Sequence, residues 1–202
     1  MKRRIEVRAC SITEAGAAAV VNASNDSARL GGGVSRALFD ECGGPLLQQE
    51  MNQMLEDVFD GVLDEGDCMV TSAGTSTKMR HLLHVAAVDY RGTRARLGAS
   101  GVERTVTSPE RIQACVEAAL RTAADIAKED GKPISVAFPL LGGGAGGVPV
   151  ASVCHAMIAG LRGFFNESPQ AAIDLVVFAV PEPDRFIVCD RLVKAAFGEH
   201  RQ

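Results

Sequence analysis

Two short stretches pair a high density of glycine with a place between an apolar run and a helical pattern. These are the residues best suited to holding a ligand. In the first, Gly31, Gly32, Gly33 and Val34 follow Leu30. In the second, FPLLGGGAGGVP, the glycines Gly142, Gly143, Gly144, Gly146 and Gly147 surround Ala145. Glycine costs about 0.5–1 kcal/mol relative to alanine in regular structure, so repeated use needs a cause. Ligands of α/β sheets collect beyond the carboxyl ends of strands, where helix N-termini offer free N–H groups and a positive dipole end. Glycine lets the main chain approach an anion closely, and two such bends could clasp neighbouring phosphates. The plainer reading is a pair of tight strand-to-helix turns. One bend alone would favour that reading; two of them, the second spanning six residues, favour phosphate. Neither is a Walker A loop, because no G-K-[ST] follows. Neither opens the first strand–helix unit with an acidic residue at the ribose position, as a dinucleotide fingerprint requires.

Beside the first bend, VVNASND places Asn22 and Asn25 at the end of a strand pattern. An asparagine amide has two donors and an acceptor, suited to sugar hydroxyls. The same residue types also form turns, and spacing alone does not choose. His84 is a titratable candidate by type, but a histidine on an apolar strand is more often a satisfied core residue. His155, at the period of a later helix, is read the same way. The acidic run EDVFDGVLDEGD (residues 56–67) lacks the D-x-D-x-D-G order of a calcium loop and reads as a solvated helix end and turn. Arg91, Arg94, Arg96 and Arg104 fall in a Gly/Arg-rich stretch read as a solvated loop, within reach of a phosphate, a polyanion or a partner.

The elements that must position these groups alternate along the chain. Strand patterns are expected over residues 5–10, 18–23, 68–73, 81–88, 134–141 and 173–180. Helical periodicity covers residues 35–42, 46–59, about 109–128, a stretch beginning at Pro149, and 184–197. Ser108-Pro109 is a helix start, with a hydroxyl cap followed by proline at the first helical position. Gly160 and Gly163 within a helix near Phe164 suggest close packing. Two strands apolar on both faces, 134–141 and 173–180, require a sheet covered on both sides. No internal repeat or interdomain linker is evident. Residues 91–107 read as a long loop of one domain over residues 1–202.

The chain of 202 residues is 47% hydrophobic and 23% charged, enough for a substantial core. Its net charge of -4 argues against coating nucleic acid. Aromatics make up only 4%, with no Trp and a single Tyr, so few rings exist for stacking single-stranded bases. Six cysteines lack any C-x-x-C pair and sit in apolar contexts, as buried thiols of a reducing compartment would. No metal site is expected. With no apolar segment behind the basic start and no run of membrane-spanning length, the expectation is a cytoplasmic protein with no membrane partner.

Taken in order, these pieces resemble the macrodomain family. Its pattern runs G-D-I-T, V-N-A-A-N, G-G-G-V, a strand-borne I-H-x-V, then F-P-A-I-S-T-G-[IV]-[YF]-G. The corresponding residues are Cys10-Ser11-Ile12-Thr13, Val21-Asn22-Ala23-Ser24-Asn25, Gly31-Gly32-Gly33-Val34, Leu83-His84-Val85-Ala86 and residues 138–147. The resemblance spans about residues 5–180. It implies a three-layer α/β/α sandwich with a mixed, mostly parallel sheet of about six strands. It also implies a cleft for ADP-ribose, free or attached to protein, as ligand rather than cofactor. Both glycine loops would hold the diphosphate, Asn25 would lie near the distal ribose, and Ile12 and Thr13 would flank adenine. Ser11 stands where the family carries an aspartate toward the adenine amino group, and an uncharged hydroxyl should accept that bond more weakly. Gly146 replaces the usual aromatic. Val180-Pro181 stands where many members stack a ring on the base.

One position bears on catalysis. Hydrolase members carry G-G-G-V-D-G, whereas Ser35 follows Val34 here, and a serine with no evident base is a poor general base. Asp40 would reach the site only from an irregular helix. The favoured reading is a module that binds ADP-ribose or ADP-ribosylated protein without turnover. The alternative is a hydrolase of ADP-ribosyl or O-acetyl-ADP-ribose linkages, with Asn25 as its catalytic residue and substrate-assisted water attack. A third is a protein-interaction scaffold that no longer binds nucleotide.

Overall fold

The computed structural model describes residues 3–91 and 107–198. Six strands alternate with helices: β1 (Arg4–Arg8), β2 (Ala19–Asn25), α1 (Gly33–Glu41), α2 (Pro45–Phe59), β3 (Met69–Ser72), β4 (His81–Val88), α3 (Pro109–Asp130), β5 (Ile134–Phe138), α4 (Val150–Glu167), β6 (Ile173–Ala179) and α5 (Pro183–Phe197). A single 3₁₀ turn, Ile12–Glu14, sits between β1 and β2. The strands form one sheet in the order β1-β6-β5-β2-β4-β3. Every neighbouring pair is parallel except β3 with β4. This is the mixed, mostly parallel sheet of six strands that the resemblance implies, and helices cover both faces as the alternating pattern requires.

The side-chain alternation of β6 shows how the layers arise. Val176 and Phe178 enter a core with α3, α4 and α5. Leu175 and Val177 enter a second core with α1 and α2. A strand period of two thus feeds two hydrophobic layers at once, so both faces read as apolar in sequence. Among the described residues, no helix is long and apolar enough to cross a membrane.

Helix boundaries follow their chemistry. Ser108 accepts a hydrogen bond from the Arg111 amide at 3.2 Å, Pro109 occupies the first turn, and Gly131 closes α3 at φ +66°. β5 is shorter than the expected 134–141: it stops at Phe138, since Pro139 brings no N–H to continue a ladder. The Gly/Arg stretch, including Arg94, Arg96 and Arg104, lies outside the described residues. Arg91 is described, and its guanidinium pairs with Asp64 and Asp89, each at 2.7 Å. The acidic run is a helix end and turn, with Glu65 3.3 Å from Arg111.

Cys42, Cys115, Cys154 and Cys189 are buried free thiols, while Cys10 and Cys68 are half-buried. Desolvation pushes Cys42 up to about 11 and Cys115 up to about 12. His155 departs from expectation. It follows the helical period of α4 but lies on the exposed edge of the stripe, not in the core.

Helices α3 and α4 touch at glycine. A Cβ at Gly160 would lie 2.9 Å from the Gln113 carbonyl oxygen and 2.9 Å from Val116 Cβ. Alanine at this position gains about 1 kcal/mol of helix propensity, but the forced displacement of a backbone carbonyl costs more. Gly160→Ala should therefore destabilise the protein by about 1–3 kcal/mol. Urea denaturation checks this; an unchanged or raised midpoint would show that the helices separate freely.

Candidate functional site

Strands β2, β5 and β6 end on the same side of the sheet, and a cleft opens beyond them. It has two connected halves that share Gly33, Val34, Leu140 and Gly144. One half, about 310 Å³, is walled by Ser11, Ile12, Val180, Pro181, Glu182 and Arg185. The other, about 440 Å³, is lined by Asn25, Arg29, Gly31, Gly32, Tyr90, Gly142, Ala145 and Gly146 among others. Both glycine bends therefore border one space.

The first bend leads into α1, whose N-cap is Gly32 and whose first residue is Gly33. The N–H groups of that first turn have no partner within the helix. Among the described residues, the amides of Gly32, Gly144, Ala145 and Gly146 have no backbone partner. In the second bend, by contrast, Gly143 donates to the Leu140 carbonyl and Gly147 to the Gly144 carbonyl. These two bonds tighten the turn and leave the middle amides unused.

The glycines are required for different reasons. Gly33, Gly142 and Gly147 adopt φ of +54°, +73° and +67°, which disfavour any side chain. At Gly146, a Cβ would come within 2.5 Å of the Gly142 carbonyl oxygen and 2.6 Å of Thr107 Cγ2. That contact leaves no room for a ring at this position. At Gly31, Gly32 and Gly144, a Cβ would meet no described protein atom within 4 Å, and none of the three has positive φ. Neither conformation nor packing explains glycine there.

Asn25 is half-buried and lines the larger half of the cleft. Its Oδ1 accepts from the Ser27 amide and hydroxyl, each at 3.0 Å, in a local turn. Its Nδ2 donates only a long bond, 3.5 Å, to the Arg29 carbonyl, so donor capacity remains. The turn-forming and ligand-facing readings of this residue are thus compatible.

Asn22 requires a correction. It is fully buried, its Oδ1 accepts from Ser35 Oγ at 2.8 Å, and its Nδ2 lies 3.0 Å from His84 Nδ1. It holds the wall of the cleft and does not present its amide to a sugar. The reason is register: Asn22 and His84 are direct partners across the parallel β2–β4 pair, both facing α1. His84 Nε2 lies 2.9 Å from Thr71 Oγ1 on β3. Because the Asn22 amide donates to Nδ1, the imidazole carries its proton on Nε2 and donates to Thr71. Complete burial pushes His84 down to about 3, so the ring is neutral. The expectation of a satisfied core histidine holds for this residue. Ser35, the first-turn residue of α1, is 5% exposed and points into this network. Asp40 is exposed and pairs with Arg36 at 2.8 Å, so α1 does not turn it toward the cleft.

Of the cleft residues that carry no motif and escape sequence reading, Tyr90 and Arg185 are held in place by hydrogen bonds. Tyr90 reaches the larger half, its amide fixed by Asp26 Oδ1 at 2.9 Å. Arg185, in the first turn of α5, donates to the Gly143 carbonyl at 3.2 Å and lines the smaller half. The one available signal was for Tyr90: it stands two residues beyond a strand end, where α/β clefts form.

The neutral His84 has a consequence for stability. In the unfolded chain an imidazole takes up a proton near pH 6.5, whereas in the folded protein it resists protonation until about pH 3. The unfolded state thus binds more protons in this window, and the His84 contribution to stability is lost as pH falls through it. The slope reaches at most about 1.4 kcal/mol per pH unit. Urea midpoints measured between pH 4 and 7 on the parent and on His84→Gln should show a shallower acid loss in the variant. Parallel curves would mean that the ring is protonated without cost.

Comparison with known proteins agrees with this fold. The family model described as Macro domain matches residues 21–157. A protein of Sulfurisphaera tokodaii is 30% identical over 73% of this chain and 68% of its own length. One of Thermotoga maritima is 26% identical over 85% of this chain, which spans only 25% of that longer protein. Among solved structures, the Oceanobacillus iheyensis macrodomain with ADP superposes with a TM-score of 0.71 at 21% identity, covering 94% of this chain and 89% of that one. The Trypanosoma brucei macrodomain in complex with ADP gives 0.70 at 25% identity, covering 95% and 69%. The same protein in complex with ADP-ribose gives 0.70 at 23%, covering 94% and 69%. The chain belongs to the macro domain family.

Proposed function

We propose that the cleft binds ADP-ribose, free or attached to protein, and does not turn it over. The diphosphate lies on the amides of Gly32, Gly33 and Val34 on one side and of Gly144, Ala145 and Gly146 on the other. The observation that carries this reading is the set of glycines whose missing side chains leave open space. A residue at Gly32 or Gly144 could carry a Cβ without touching the protein. Glycine there makes sense if something else occupies that space, and unpartnered N–H groups specify an anion. Structural neighbours that hold ADP and ADP-ribose support the same assignment. The apolar half of the cleft, with Ser11 and Ile12, takes the base. The half with Asn25 takes the distal ribose, within reach of the Asn25 Nδ2 donor.

Calorimetric titration checks this. ADP-ribose and ADP should give saturable heat and AMP, lacking the second phosphate, much less. Gly144→Val should weaken ADP-ribose binding by tenfold or more while leaving the urea midpoint unchanged, since its side chain clashes with the ligand alone. Equal affinity in parent and variant would remove the phosphate from this loop.

Binding without hydrolysis is favoured by what lines the distal half. Among the described residues, no Asp, Glu or His borders it, and Ser35 is held inward by Asn22. No group there is a competent general base at neutral pH. The second reading, hydrolysis by a water that the substrate diphosphate polarises, rests on Asn25 and the two glycine loops. A release assay on mono-ADP-ribosylated protein should give no more free ADP-ribose than the blank. Release that disappears in Asn25→Ala would establish the hydrolase instead.

A further inference from the structure

The smaller half of the cleft has a chemistry that narrows what the ligand's base must be. Its walls are mostly apolar, supplied by Ile12, Leu140, Val180 and Pro181. Among the described residues, three polar side chains border it: Ser11, Glu182 and Arg185. The Ser11 hydroxyl is 3.2 Å from Thr13 Oγ1, and either oxygen can be the donor. A hydroxyl pair that can reverse its hydrogen bond offers a donor or an acceptor according to what faces it. Glu182 is exposed at the start of α5, and a solvated carboxylate offers a base little beyond what water offers. Arg185 is different. It is half-buried, and its guanidinium is tethered to the Gly143 carbonyl, on the same loop whose next amides are unpartnered. A planar cation fixed at the edge of an apolar slot stacks on any aromatic base, whatever that base's hydrogen-bonding edge.

We infer that Arg185 holds the base by its plane while Ser11 leaves the edge unread, so the site takes purine nucleoside diphosphate riboses as a class and does not select adenine. The inference rests on the diphosphate reading of the glycine loops and adds to it the identity of the base. Adenine presents an amino donor where hypoxanthine presents a carbonyl acceptor. Ser11 serves both by turning its O–H. Arg185 contributes equally to both, and through Gly143 it couples base stacking to the placement of the second loop.

The test compares ADP-ribose with inosine diphosphate ribose by calorimetry on the full chain. The two dissociation constants should agree within about threefold. Ser11→Asp installs a fixed acceptor, and it should open a preference for ADP-ribose of tenfold or more, since a charged acceptor favours an amino donor and repels a carbonyl. Arg185→Ala should weaken both ligands by about tenfold and to the same extent, Arg185→Lys should do nearly as much, and Arg185→Phe should restore most of the loss because it restores a plane. A tenfold preference for either ligand in the parent, or undiminished affinity in Arg185→Ala, overturns the inference while leaving the diphosphate reading intact. Failure of both ligands to bind the folded parent overturns the two together.

Discussion

A buried line of hydrogen bonds fixes the cleft from beneath. It runs from Ser35 on α1 through Asn22 on β2 and His84 on β4 to Thr71 on β3. Each member is almost fully shielded from water, so a missing partner would leave a desolvated polar group at a cost of about 1–3 kcal/mol. The line is satisfied only if the imidazole is neutral with its proton on Nε2. It is also satisfied only if the first turn of α1 sits above Asn22. The position of the helix N-terminus is therefore specified by the sheet and not left to the mobility of a glycine turn. Three glycines in a row would otherwise make a poor anchor, because they lose more backbone entropy on ordering than any other residue.

The second loop solves the same problem differently. Gly142 and Gly147 provide left-handed corners, and internal amide bonds from Gly143, Gly147 and Val148 close the bend. Thr107 packs against Gly142 and Gly146 from outside, and Arg185 holds the Gly143 carbonyl. What remains unused is the run of amides at Gly144, Ala145 and Gly146. One loop is held by a polar network under its helix, the other by turn geometry and a cation. Both hold main-chain donors in fixed directions, the preorganisation from which the proposed ligand would gain affinity.

Much of this was legible in sequence, for identifiable reasons. Periodicity located the six strands and five helices of the described residues, because strands buried on both faces and amphipathic helices have different spacings. The Ser108-Pro109 cap could be read because its hydrogen bond is local. The errors concern side chains whose role depends on residues far along the chain. Asn22 looks like a turn or sugar ligand until the β2–β4 register places it against His84, 62 residues away. His155 fits the helical period, yet a stripe's edge is set by the shape of the neighbouring helix. Arg185 meets its carbonyl partner from 42 residues away, and no motif announces it. The extent of β5 was overestimated because hydrophobicity continues past Pro139 while the hydrogen-bond ladder does not.

Recognition by the main chain, as proposed, is also compatible with the degree of similarity. A TM-score near 0.7 at 21–25% identity means that most side chains differ while the backbone path is kept. A site built from N–H groups tolerates that drift, since any residue that preserves the bend preserves the donors. The protein itself excludes a side chain by conformation at Gly33, Gly142 and Gly147 and by contact at Gly146, whereas at Gly31, Gly32 and Gly144 it leaves room for one, and only the proposed ligand would exclude it. The two ends of the cleft have no such constraint, because side chains supply their chemistry. At these ends the chain departs from the pattern it resembles, at Ser11 and at Ser35. Under the proposed reading, specificity for the base and the capacity for hydrolysis would then change independently of the central grip, because Ser11 and Ser35 contribute no amide to the second loop.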